Sequence, residues 1–376
     1  MPRLKPVYEL EFCEKCAERS SLECKIVEAE KCIYCNGILW RIEEFCRKIL
    51  DDLKDYEFES FLVGTRLEGS LKALEEFLAE KYGLEAERSI RYQLNRELSL
   101  ELQKAGKITE FNKPDVTILF NPETMEFEYN IRSLYISGRY IKRVRNISQT
   151  RWTCSKCKGK GCEECNFQGK KYYTSVEELI AEPCIEVLGG ENAFLHGAGR
   201  EDVDARMLGN GRPFVLEIVK PKKRKVDLKE LESLINDKAS PKVIVRDLDF
   251  ADEKTVRFLK GAPFRKKYRA KVRFDCIVEE EKLKKAVGEL SNRIIHQRTP
   301  LRVQHRRADL VRKKRTYGIR VLFHKKDVAV VEIEADSGLY IKELVSGDEG
   351  RTKPSLSELL GMNTRVEKLD VIEILG

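Results

Sequence analysis

Eight of the twelve cysteines in this chain fall into two sets of paired spacings, and that pattern limits the fold more tightly than any other feature. Cys13-x2-Cys16 is followed by Cys32-x2-Cys35, with fifteen residues between the pairs. At that spacing four thiolates close around one tetrahedral zinc ion, each pair forming a tight turn that presents two sulfurs. Asn36-Gly37 suits such a turn. The second set, Cys154-x2-Cys157-x4-Cys162-x2-Cys165, is threaded with Gly159, Gly161 and Gly169, which let so short a loop fold back on itself. Lys156, Lys158 and Lys160 surround it, as in a nucleic-acid-binding knuckle. A structural zinc is expected at the first set, and a metal, redox thiols or unliganded thiols at the second. A cytosolic chain disfavours disulfides at either. Cys24, Cys46, Cys184 and Cys276 read as ordinary core or surface residues.

The chain has 376 residues, room for two or three domains, and is 41% apolar and 36% charged. This excludes collagen, a mainly disordered chain and a membrane protein. No stretch approaches the roughly 18 consecutive apolar residues of a membrane span, and no apolar signal core follows Met1. A cytoplasmic location is expected. The net charge of +8 hides an asymmetry. Residues 291–326 hold twelve Lys and Arg against one acid, Asp309, a net +11 that leaves the rest of the chain at −3. Lys220, Lys222, Lys223, Arg224 and Lys225 form a second cluster. His296, Gln297, Pro300 and Tyr317 interleave with the larger run, which favours a nucleic acid over a merely solvated face. Charge alone does not separate RNA from DNA.

Four segments follow from the pattern. Residues 1–40 read as a zinc-stapled unit too short for a large core. Residues 41–150 read as a small α+β unit, with helical periodicity at Leu71–Tyr82 and Ile90–Leu102 and strands at Asp115–Phe120 and Glu126–Ile131. The knuckle at 151–170 reads as a hinge. In 171–376, Thr174-Ser175 caps a helix from Val176, which Pro183 ends or kinks. Strands are expected near 213–219, 241–247, 268–277, 318–323 and 328–335, and helices near 227–237 and 279–290. Strands and helices do not alternate strictly. The fold class is therefore α+β, on a mixed or antiparallel sheet rather than a doubly wound one.

Several chemistries are missing. There is no P-loop, and Gly197-Ala198-Gly199 and Gly209-Asn210-Gly211 lack the third glycine of the dinucleotide fingerprint. The four histidines show no ligand spacing. Catalysis must then rest on carboxylate, Tyr, Lys and Arg. Residues 196–214 carry the most information. Five glycines and prolines punctuate a run of apolar and charged residues, a composition that brings backbone close to a ligand. Asp202 stands between Arg200 and Arg206, and a nearby guanidinium would keep it ionised as a nucleophile or base. A salt-bridged structural turn fits the same composition.

Gly199-Arg200-Glu201-Asp202-Val203-Asp204 resembles the G-R-x-D active-site loop of pseudouridine synthases, and Gly199–Phe214 resembles the archaeal tRNA pseudouridine synthases that act on the T loop, a family with a eukaryotic branch. Lys267-Tyr268-Arg269-Ala270 is similar to that family's active-site tyrosine segment. Residues 296–303 with His305-Arg306-Arg307 resemble its RNA-gripping thumb loop. Gly338-Leu339-Tyr340-Ile341-Lys342-Glu343-Leu344, continued by 347–354, is similar to its strand-to-helix motif. Cys32–Leu39 resembles its N-terminal metal site. Residues 41–150, with Phe61–Arg66 the nearest stretch, resemble a THUMP domain, which implies binding near the acceptor end of tRNA.

The resemblance implies isomerisation of T-loop uridine to pseudouridine (tRNA positions 54 and 55) in 171–376, a pseudouridine synthase catalytic domain. No organic cofactor and no obligatory protein partner are expected. The target base must leave the stack. Asp202 would act at the ribose–base junction, with attack at C1′, attack at the base and proton abstraction at C2′ all open. Asp204 is the rival carboxylate. Lys342 would keep Asp202 ionised, Tyr268 would stack on the base, Tyr340 would line the pocket, and Arg200 would help displace the base. Arg298, Arg302, Arg306 and Arg307 would grip RNA. The alternatives are a non-catalytic zinc and THUMP tRNA-binding adaptor and a nucleoside-cleaving glycosylase.

Overall fold

The computed structural model describes residues 10–375, and the side chain of Arg306 lies outside the described residues. The chain divides into two units. One runs to Ser133 and takes in Leu188–Glu191 and Val219–Lys225; the other holds the remainder from Leu134.

The first unit contains β1 (Glu11–Phe12), α1 (Glu14–Ser20), β2 (Lys25–Ile26), α2 (Ile42–Asp52), β3 (Ser60–Thr65), α3 (Gly69–Tyr82), α4 (Ile90–Lys104), β4 (Ile108–Thr109), β5 (Val116–Asn121) and β6 (Glu126–Ile131). Its sheet runs β4-β3-β5-β6, with β3 parallel to β4 and β5, and β5 antiparallel to β6. Strand alternation turns Phe61 and Val63 of β3 and Val116, Ile118 and Phe120 of β5 inward. The helical stripe of α4 (Ile90, Leu94, Leu98, Leu102) is wholly buried, and Ser89 caps its first turn by accepting from Tyr92 N at 3.1 Å. The cysteine-bearing segment is not a separate core. Phe12, Tyr34 and the four thiols belong to one apolar cluster with Phe61 and Phe120, and Tyr34 Oη accepts from Ile90 N at 3.0 Å.

Much of the second basic cluster pairs with acids of this unit, while Lys222, Lys223 and Lys225 stay exposed. Lys220 meets Glu191 at 3.1 Å, Lys222 meets Asp55 at 3.9 Å, and the Arg224 backbone N–H donates to Glu57 at 2.6 Å. Arg224 and Arg132 also flank Asp115, at 3.6 and 2.7 Å. Burial pushes the Asp115 carboxyl up, but the N–H groups of Glu59 and Ser60 and the Arg132 guanidinium outweigh it and hold the group below its ordinary value.

The second unit contains β7 (Leu134–Lys142), α5 (Val176–Leu188), β8 (Asn192–Gly197), β9 (Arg206–Val219), α6 (Leu228–Ala239), β10 (Val243–Ala251), α7 (Glu253–Gly261), β11 (Arg265–Phe274), α8 (Glu280–Leu290), β12 (Ile294–Arg298), β13 (Val311–Lys325), β14 (Val328–Ala335), α9 (Ile341–Ser346), β15 (Thr352–Lys353), α10 (Leu356–Leu360) and β16 (Thr364–Leu375). Among the described residues a ten-stranded sheet runs β10-β7-β9-β16-β11-β14-β13-β12-β15, with β8 against β9. One neighbouring pair on that path, β9 with β16, is parallel, so the α+β mixed sheet expected from the sequence is the fold. Residues 134–150, grouped on sequence with 41–133, lie here because β7 pairs with β9 and β10. Pro183 does not end α5, which continues to Leu188. No helix among the described residues is long and apolar enough to cross a membrane.

The Asp115 hub gives a measurable acid sensitivity. A depressed folded-state carboxyl adds stability above its unfolded value and loses it as pH falls below about 4. Asp115→Asn should therefore lower unfolding free energy at pH 7 by about 3 kcal/mol and flatten the acid limb of a urea-unfolding profile. An unchanged acid limb would remove Asp115 from this role.

Candidate active site

The loop between β8 and β9 carries the G-R-x-D residues, and its adjacent acids Glu201 and Asp202 face opposite ways. Glu201 points inward with a fully buried carboxylate. It accepts from Arg212 Nε at 3.0 Å and Tyr140 Oη at 2.9 Å, and lies 3.8 Å from Lys142 Nζ. Arg212 also donates to Ala198 O at 2.7 Å. Gln149 donates to Tyr140 Oη at 2.7 Å and to Gly199 O at 2.9 Å. Lys142 donates to Ile147 O at 2.9 Å and to the backbone carbonyls of Asp202 and Val203, each at 3.3 Å. Burial presses Lys142 below its ordinary value while Glu201 pulls the other way. Gly197 and Gly199 are required where they stand. A Cβ on Gly197 would meet Gln149 Nε2 at 2.7 Å, and Gly199 holds φ +78.

Asp202 then projects to the opposite side, about a third exposed. Its partners are not the two arginines that flank it in sequence. Arg302 lies 3.2 Å and Lys342 3.4 Å from its carboxylate. Arg206 instead meets Asp370 at 2.7 Å, and the Arg200 guanidinium sits 5.1 Å from the Trp152 ring centroid. Lys342 is closer to Asp204, at 2.7 Å. Burial raises the Asp204 carboxyl, but Lys342 holds it below its ordinary value. Lys342 therefore bridges both candidate carboxylates.

Asp202 stands where two cavities meet. One, of ≈ 330 Å³, is walled by Tyr268, Tyr340, Leu339, Val371, Arg307 and Arg312. Tyr268 is buried, which pushes its phenol up to about 12, so it stays protonated near neutrality. The other cavity, of ≈ 250 Å³, is walled by Trp152, Lys171, Tyr172 and His305. Gln297 joins the thumb to the 338–344 motif: its amide donates to Tyr340 O at 3.0 Å and accepts from Tyr340 N at 2.8 Å.

The four proposed RNA-gripping arginines separate. Arg302 turns into the site, meeting Glu343 at 2.6 Å as well as Asp202. Arg298 meets Asp309 at 2.7 Å, Arg307 lines the larger cavity, and the Arg306 side chain lies outside the described residues. Sequence reasoning missed Glu201, Arg212 and Glu343. The available signal was an acid at the variable position of G-R-x-D and an arginine within Gly211-Arg212-Pro213.

Both cysteine sets close. The sulfurs of Cys13, Cys16, Cys32 and Cys35 lie within 4.8 Å of one another, as do those of Cys154, Cys157, Cys162 and Cys165, and all are free thiols. Sulfur–sulfur separations of 3.6 Å (Cys13–Cys35), 3.9 Å (Cys154–Cys162) and 3.8 Å (Cys157–Cys165) match the edge of about 3.8 Å that a tetrahedron with about 2.3 Å metal–sulfur bonds requires. Backbone N–H groups of Gly161 and Gly169 donate to Cys157 and Cys165 sulfurs at 3.2 Å, as they would to thiolates. Both sets fit a divalent metal.

Removing Glu201 would strand two buried cations. Glu201→Ala should cost about 3–5 kcal/mol in global unfolding, read by urea titration. A loss under about 1 kcal/mol would mean the loop is held by other contacts.

A family model described as Pus10, C-terminal, matches residues 135–375, and one described as Pus10 THUMP domain, archaeal, matches residues 45–121. A protein of Archaeoglobus fulgidus named tRNA pseudouridine synthase Pus10 is 55% identical over 93% of this chain and 96% of that protein. A protein of the same name from Methanocaldococcus jannaschii is 42% identical over 97% of this chain and 81% of its own length. Among solved structures, a chain of a Cbf5-Nop10-Gar1 complex aligns at a TM-score of 0.36 and 17% identity, over 63% of this chain and 48% of that one. The two matched regions and the near full-length identity to the named relatives show that this chain belongs to the Pus10 family.

Proposed function

We propose that this chain is a tRNA pseudouridine synthase that isomerises uridine in the T loop, with Asp202 as the residue that acts on the nucleotide. The observation that carries the reading is the position of Asp202: a carboxylate between Arg302 and Lys342, at the mouth of a cavity of ≈ 330 Å³ walled by Tyr268 and Tyr340. The relatives' shared name favours catalysis over a tRNA-binding adaptor.

The reaction breaks the N1–C1′ bond of a flipped uridine, turns the base and joins C5 to C1′. It needs no redox change and no group donor. Stacking on the Tyr268 ring would hold the flipped base, a contact worth about 1–3 kcal/mol. Arg302 and Lys342 orient the Asp202 carboxylate, and Tyr340 closes the cavity. Arg307 and Arg312 line the route for RNA phosphates. The THUMP region would take the acceptor end of tRNA and the thumb its T arm. The enzyme would work in the cytoplasm. Cys13, Cys16, Cys32 and Cys35, and separately Cys154, Cys157, Cys162 and Cys165, would each hold a structural zinc. That ion would serve to stabilise its loop.

Two measurements test this reading. With unmodified tRNA transcripts, Asp202→Ala should abolish pseudouridine by nearest-neighbour analysis and leave tRNA affinity within about three-fold. Retained turnover would pass the role to Asp204, and an abasic product from the parent enzyme would mean a glycosylase instead. Native mass spectrometry should find two zinc ions per chain. Cys16→Ser should lose one and unfold the first unit, because those thiols sit in its core. Full metal-free stability would refute the structural zinc.

A further inference from the structure

Lys266 occupies a position that the roles above leave unused. On β11 it alternates with Tyr268, so both side chains share the face toward the larger cavity. Their neighbours Lys267 and Arg269 face the other way, toward Glu373 at 2.7 Å and Glu332 at 3.9 Å. Lys266 is only 5% exposed. Among the described residues its ammonium has no hydrogen bond and no ion pair. It lies directly beneath the catalytic loop, where a Cβ on Gly199 would stand 2.7 Å from Nζ. The glycine that opens G-R-x-D therefore keeps the space over this ammonium clear.

The surroundings do not neutralise the charge. Arg212, on β9, is committed to Glu201, and Lys314, on β13, lines the same cavity. Tyr268 is the titratable group beside it on β11, while β14 and β16 place Ala335 and Ile374 opposite in register. Burial presses Lys266 down to about 7, repulsion from Arg212 and Lys314 adds to it, and Glu201 opposes. A lysine so little exposed, with no carboxylate partner among the described residues and its side chain on the cavity wall, suits a ligand that brings negative charge.

The reaction supplies such a charge. When the N1–C1′ bond breaks, its electron pair stays with the pyrimidine and spreads from N1 onto O2 and O4. The pair that later forms the C5–C1′ bond comes from the same ring, the hydrogen on C5 is released, and N1 takes one up. Nothing in that sequence requires a proton from a lysine. We propose that Lys266 is a further catalytic residue, whose ammonium donates a hydrogen bond to a carbonyl oxygen of the flipped uracil and holds its negative charge while the base is detached and turned. Positioned donors of this kind contribute most where charge develops away from water.

The inference rests on the synthase reading, and the experiment separates the two. Single-turnover conversion of tRNA transcript is measured for the parent chain, Lys266→Met and Lys266→Gln. If the parent makes no pseudouridine, the synthase reading fails and this inference with it. If it does, Lys266→Met should convert at least about 100-fold more slowly, with tRNA affinity within about three-fold and a melting temperature equal to the parent's or higher. The parent's kcat/KM should fall as pH rises through about 7, because the protonated lysine is the active form, and Lys266→Met should lack that limb. Conversion within about three-fold of the parent would overturn the proposal. So would a loss matched by lost tRNA affinity, a limb that persists in the variant, or unfolding of both variants, which would make Lys266 structural.

Discussion

The geometry of the candidate site depends on the buried carboxylate of Glu201. It ties the 14-residue strand β9, through Arg212, to β7, through Tyr140 and Lys142, and so fixes the loop before β9 that carries it. A buried ionic cluster is a poor way to gain stability, since taking charges from water largely cancels their attraction. It is a good way to fix geometry, because each partner has few positions in which all donors are satisfied. Lys142 reaches past Glu201 to the backbone carbonyls of Asp202 and Val203, so one network sets both the path of the loop and the direction of the next side chain. Asp202 faces the cavities because Glu201 faces the core.

Strand alternation then sorts the cations. The basic run became β12, a short turn and β13, and the period of two divides its charges between faces. Arg312 and Lys314 line the larger cavity, while Lys313 and Arg315 are exposed. Arg302 in the turn is drawn to Glu343 and Asp202. A run that looks uniform in sequence thus holds cations free to meet phosphate and one cation committed to carboxylates inside the site.

This explains what the sequence could and could not reveal. The fold class followed from the absence of strict alternation between strands and helices, and β6 and β14 matched their expected bounds because each has a clear period-two pattern flanked by turns. The two thiol sets were legible because metal spacing is local. Helix α2 and strands β7 and β16 went unread, since charges interrupt their apolar residues, and on β16 tertiary pairing satisfies those charges. One example is Asp370 on β16, which is held by Arg206 and Arg145 at 2.7 and 2.6 Å. Lys342 was expected beside Asp202 and lies there, yet it is shared with Asp204. The partner Arg302 comes from a hundred positions away, a distance across which composition carries no pairing information. The acids that pair with the basic cluster at 220–225 were hidden for the same reason, since they stand near residues 55–59, 115 and 191.

The knuckle at 154–165 places four clustered thiols beside the candidate site. Trp152 and Tyr172 meet edge to face at 5.7 Å, and the Thr153–Lys170 bridge brings together the chain on either side of the four cysteines. Trp152, Lys171 and Tyr172 form part of the wall of the smaller cavity beside Asp202. The segment 154–169 is mostly Lys, Glu, Gly and Cys, with too little apolar area to hold a fixed shape in water. Four thiolates around one ion would supply the closure that a hydrophobic core otherwise provides. An aromatic wall hung on so polar a loop would keep its place if the loop were cross-linked, so a metal held here would act on the geometry of the cavity, apart from the Asp202 carboxylate.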